Sequence, residues 1–79
     1  MFSKNDVTPL KMALSKYYNN YFEIIGEKTQ LSRPTISKFF NAKKVKPDNA
    51  LKIYDVCIDL LLEKERDIKE LQQKIKELT

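Results

Sequence analysis

The chain has no histidine, no tryptophan, one cysteine and one glycine among its 79 residues. A tetrahedral zinc site needs four Cys or His ligands, so none can be built. Cys57 has no partner in the chain, which leaves no intramolecular disulfide framework of the secreted type. Without histidine, and with no evident clustering of carboxylates, no catalytic set is visible, and a non-enzymatic protein is expected. No cofactor motif is present. No apolar run approaches the 18 or so residues that span a bilayer. The N-terminal MFSKNDVTPL lacks the apolar core of a signal peptide, so a cytoplasmic protein is expected. With a single glycine and three prolines, flexible linkers have little room.

The charge that is present is unevenly placed. Residues 1–47 hold nine Lys/Arg against three Asp/Glu, a net of +6; residues 48–79 hold six against eight, a net of −2. From Lys28 to Pro47 there is no acidic residue at all. A basic front with a mildly acidic rear predicts a polyanionic partner for the front.

Apolar spacing is helical throughout and no strand signal occurs. Val7, Leu10, Leu14, Tyr17 and Tyr21 recur at three- and four-residue steps. Thr8 as N-cap and Pro9 at the first helical position predict a first helix over 9–18. Asn20 with Glu23 resembles a capping box and opens a second helix over 21–29, with Phe22, Ile25 and Ile24 inward. Gly26 falls inside it, at a cost of about 1 kcal/mol against Ala, which predicts close approach of another backbone. Gln30 to Ser32 form a turn. A third helix over 33–41 follows, capped by Ser32, with Ile36 and Phe39 inward and Arg33, Ser37 and Lys38 outward. Asn41 ends it, and a basic loop runs to Lys46.

No Gly or Pro interrupts Asp48 to Thr79, which predicts one helix of up to about 48 Å. Its first half carries a wide apolar face of Ala50, Leu51, Tyr54, Cys57, Ile58, Leu61 and Leu62. Its second half narrows to Ile68, Leu71, Ile75 and Leu78, a heptad stripe that projects back through Leu61, Cys57 and Tyr54. Ile at a with Leu at d favours a parallel two-stranded coiled coil, which Lys64 at a d position weakens. The competing arrangement is a tail folded back on its own domain.

Two short helices joined by a three-residue turn, the second one basic, make a helix-turn-helix. Phe22 to Asn41, FEIIGEKTQLSRPTISKFFN, resembles the motif of the phage Cro/repressor-type helix-turn-helix family. The likeness lies in Ile25, Leu31, Ile36 and Phe39, in Gly26 where the helices meet, in the Ser32–Ser37 run, and in Asn41 followed by a basic loop and Pro47. It extends over roughly residues 8–60. Gln30 stands where the family usually has a turn glycine, a position that often needs positive φ. Phe22 replaces a polar residue that often touches phosphate. The family's common glycine break after helix four is missing.

The resemblance implies an all-α, lambda-repressor-like domain over 1–60, and the heptad stripe predicts a dimerisation helix over 61–79 after it. It implies a sequence-specific regulator of transcription that binds double-stranded DNA. Arg33, Pro34, Ser37 and Lys38 match base-facing positions, with Arg33 suited to guanine O6 and N7. Ser32, Thr35 and Asn41 match phosphate-contacting positions, and Lys43, Lys44 and Lys46 would neutralise phosphates from the loop. Homodimerisation would run through Leu61, Ile68, Leu71, Ile75 and Leu78. The alternative is a helical adaptor whose basic face binds an acidic protein, because fold does not fix function. Neither reading involves a metal, a small-molecule ligand or a membrane.

Overall fold

The computed structural model describes residues 4–78; the expected segment ends at 1–3 and at Thr79 lie outside them. The described residues form four helices and no strand: α1 Lys4–Tyr17, α2 Tyr21–Thr29, α3 Arg33–Phe40 and α4 Pro47–Leu78. The boundaries expected for α2 and α3 agree within a residue, Asn41 being the C-cap of α3. The last helix is continuous, with no break between Ile53 and Leu62.

The first helix departs from expectation. It starts at Lys4, not after a Thr8 cap, and Pro9 lies inside it. The reason is burial. Val7 is 1% exposed and shares a face with Leu10 and Leu14, so the turn before Pro9 is needed to carry it into the core. Asp6 in that first turn favours the helix N-terminus. These gains outweigh the one backbone hydrogen bond that Pro9 cannot donate.

Val7, Leu10, Leu14, Ile25, Ile36, Phe39, Phe40, Ala50, Ile53, Cys57 and Leu60 form one core. Tyr18, rather than the 38%-exposed Tyr17, packs beside it. Ile53 and Leu60 fill positions where Leu51 and Leu62 were expected; the latter two are exposed. The face of α4 that turns inward is fixed by α1 and α2, which both pack on it.

Gly26 does not mark a close backbone approach. A methyl group there would sit 3.6 Å from Ile36 Cδ1 and 3.7 Å from the Leu31 carbonyl oxygen, ordinary contact distances. Asn20 makes no side-chain cap bond, so the expected capping box is absent. The strained position lies at the other end of α2, where Gln30 adopts φ 60 and its N–H bonds the Gly26 carbonyl at 2.8 Å.

The chain spans 51 × 25 × 20 Å with a radius of gyration of 14.7 Å. A compact chain of this length would have about 12 Å. The excess is the outer half of α4, from about residue 63, which runs beyond the head formed by α1 to α3.

Candidate nucleic-acid interface

Ser32 enters α3 with extended backbone, and Pro34 occupies the first turn, where its missing N–H breaks no helical bond. Ser32 does not cap through its side chain. Its hydroxyl instead pairs with that of Thr35 at 2.9 Å. Ile36, Phe39 and Phe40 are buried and lock the inner side of α3. Phe40 was not among the expected inward residues.

Pro34 and Lys38 are exposed on the opposite side, with Ser37 half-buried beside them. Arg33 is also exposed, but it sits on the flank nearest α2. Its guanidinium carbon lies 5.1 Å from the centre of the Phe22 ring. Phe22 is itself held by Tyr21 at 5.0 Å and Phe40 at 5.5 Å, and Phe40 abuts Phe39 at 5.2 Å. A chain of rings thus runs from the core to Arg33. Stacking uses the flat face of a guanidinium and leaves its N–H edge free. This support for Arg33 was missed in the sequence, although an aromatic where a polar residue is usual was its visible trace.

The end of α3 carries a second device. The Asn41 side-chain nitrogen donates to the Ser37 carbonyl at 2.9 Å and to Ser37 Oγ at 3.2 Å. Ala42 takes φ 56. The Ala42 N–H then bonds the Phe39 carbonyl at 3.1 Å, and the Lys43 N–H bonds the Lys38 carbonyl at 2.8 Å. This is a Schellman termination, which sequence reading missed because Ala stands where Gly is usual. It fixes the exit of the basic loop. Val45 is half-buried against the core, while Lys43, Lys44 and Lys46 are exposed on either side of it.

Among the described residues, none of Arg33, Lys38, Lys43, Lys44 and Lys46 has an ion-pair partner. The salt bridge between Lys69 and Glu65, at 3.4 Å, is remote on the tail. The basic side chains of α3 and of the loop after it are thus held in no ion pair among the described residues, and Glu23 is the one acidic residue lining the shallow hollow beside Arg33. Cys57 takes no part: it is 0% exposed, and burial pushes its thiol up to about 12, so it stays protonated. The described residues contain no group of three His, Cys, Asp or Glu that could hold a metal ion.

The candidate dimerisation residues divide. Ile68, Leu71, Ile75 and Leu78 are exposed, by 37%, 60%, 54% and 86%. Leu61 is half-buried against the chain's own core. Cys57 lies wholly inside that core, so the seam does not extend back through it. Lys64, the polar residue that interrupts the heptads, is turned onto the Tyr18 ring at 5.3 Å. A shallow groove between α1 and α4, lined by Ala13, Tyr17, Leu61 and Ile68 among others, marks where the free stripe meets the head. No described helix is long and apolar enough to cross a membrane.

No protein-family model matches the chain, and no curated protein or solved structure matches it.

Proposed function

We propose that the protein is a sequence-specific double-stranded DNA-binding regulator of transcription that acts as a homodimer, with α2 and α3 as a helix-turn-helix. The observation that carries this reading is the two-sidedness of α3. Its inner residues are buried to 6% exposure or less, while Arg33, Pro34 and Lys38 face solvent without an acidic residue nearby in sequence. A helix is the element that the major groove, about 12 Å wide, admits. Arg33, Pro34, Ser37 and Lys38 then read base edges. Ser32, Thr35 and the loop lysines Lys43, Lys44 and Lys46 hold phosphates and set the register, whereas the Asn41 side-chain nitrogen is committed to Ser37 and would reach a phosphate only by giving up those bonds.

Dimerisation is supported by the exposed stripe from Ile68 to Leu78, which resembles two heptads of a parallel coiled coil with Ile at a and Leu at d. One α3 offers two or three base contacts, each worth about 1–3 kcal/mol of discrimination. Pairing doubles that number and places two half-sites about 34 Å apart, or a multiple of it.

A library of duplex sites tests the assignment of roles. Arg33→Ala should flatten base preference, whereas Lys44→Ala should weaken binding to every sequence by a similar factor. Identical behaviour of the two variants across the library would show the roles to be wrong.

A further inference from the structure

The outward side of α3 offers hydrogen-bond donors, and the amide nitrogens that a paired contact to adenine would use are already bonded within the chain. An Asn or Gln amide reads adenine by pairing a donor with an acceptor, and a carboxylate reads cytosine by accepting from N4. No carboxylate occurs between Lys28 and Pro47. That stretch contains two amide side chains, and both have turned their nitrogen onto backbone. Gln30 Nε2 donates to the Glu27 carbonyl at 2.7 Å, and Asn41 Nδ2 donates to the Ser37 carbonyl at 2.9 Å. The Ser37 oxygen accepts from Asn41 as well, at 3.2 Å, so the hydroxyl directs its hydrogen elsewhere. Arg33 and Lys38 can only donate. Guanine is the base whose major-groove edge is two acceptors, N7 and O6, side by side.

We propose that each copy reads a guanine-bearing strand. Arg33, held from behind by the Phe22 ring, donates to guanine O6 and N7. Lys38 and the Ser37 hydroxyl donate to acceptors on neighbouring base pairs, and Pro34 touches a thymine methyl. This rests on the DNA-binding reading above. Phe22 is a positioning residue: it leaves the donors of Arg33 unchanged and limits where they point.

The test uses the full chain. Duplexes are selected from a random library, and each guanine of the selected site is then replaced in turn by 7-deazaguanine or by hypoxanthine. The first substitution removes N7 from the major groove; the second removes the minor-groove amino group alone. At the guanine facing Arg33, 7-deazaguanine should weaken binding about tenfold or more, and hypoxanthine by less than about twofold. Arg33→Ala should erase that difference. Phe22→Leu, which keeps an apolar side chain against Tyr21 and Phe40, should reduce it while phosphate-driven binding persists. A selected site with no shared guanine, or one whose guanines all tolerate 7-deazaguanine, would overturn the base assignment and leave the regulator reading standing. Failure to retain any duplex would overturn both.

Discussion

The Tyr18 hydroxyl donates to the Leu60 carbonyl oxygen at 3.0 Å, across 42 residues of chain. The same ring lies under the Lys64 ammonium at 5.3 Å. Tyr18 follows α1 directly, and Leu60 and Lys64 bracket the point where α4 leaves the head. The end of α1 is thereby tied to the root of the tail. Tyr18→Phe keeps the ring and loses the bond. It should cost about 0.5–1.5 kcal/mol of stability, read as a lower urea midpoint at unchanged slope.

Alkali should unfold the protein through two groups. Burial, with Glu63 and then Asp67 nearby, raises the Tyr18 hydroxyl above 10.0, and burial raises the Cys57 thiol from 9.0 to about 12. Both are acids whose neutral form is favoured by folding. Their contribution is complete below the unfolded-state values and is lost as pH climbs through the folded ones. Stability should therefore be flat with respect to these groups below about pH 8 and fall between about pH 9 and 12. Cys57→Ala should flatten the earlier part of that decline, measured by denaturant titrations at successive pH values.

Gly26→Ala should stabilise the protein. The new methyl meets only ordinary contacts, at 3.6 and 3.7 Å, and the residue is helical. The helix propensity gain is about 0.5–1 kcal/mol. A drop in melting temperature would mean that the space beside Ile36 is tighter than these distances imply.

Much of this architecture is legible in the sequence, and the misses share one cause. The α2 and α3 limits follow from local signals: Asn19-Asn20, the turn at Gln30, and Ser32 with Pro34. The continuity of α4 follows from the absence of any breaker. What local signals do not encode is which stripe of a broadly apolar helix turns inward. Ile53 and Leu60 are buried, and Leu51 and Leu62 exposed, because α1 and α2 choose the face. The start of α1 was misplaced for the same reason, since Val7 is held by tertiary contacts that overrule Pro9. On α3, the outward placement of Arg33 and Lys38 follows from the three- and four-residue period, whereas that of Pro34 comes only with the resemblance. The tether of Arg33 to Phe22 joins two helices and leaves no periodic trace.

Leu71→Glu should separate oligomeric state from folding. Leu71 is 60% exposed, so the change costs the head little and places like charges in a paired seam. Sedimentation should show a dimer for the unaltered chain and a monomer for the variant, with equal helical content at high concentration. A variant that remains dimeric would move the interface elsewhere.

Salt dependence should report the number of phosphates engaged. If each head neutralises about four, log binding constant against log salt should fall with a slope near −7 for the dimer, and about half that for Leu71→Glu. A slope near zero would exclude the lysine loop from the contact.

α4 passes from core to tail as one continuous helix, so helix geometry sets the bearing of the tail on the head. Each residue inserted between Leu62 and Ile68 would turn one end against the other by about 100°, and seven would restore the bearing to within about 20°. In the proposed dimer, the bearing of each α3 on the paired tails would thus be counted out in residues along α4.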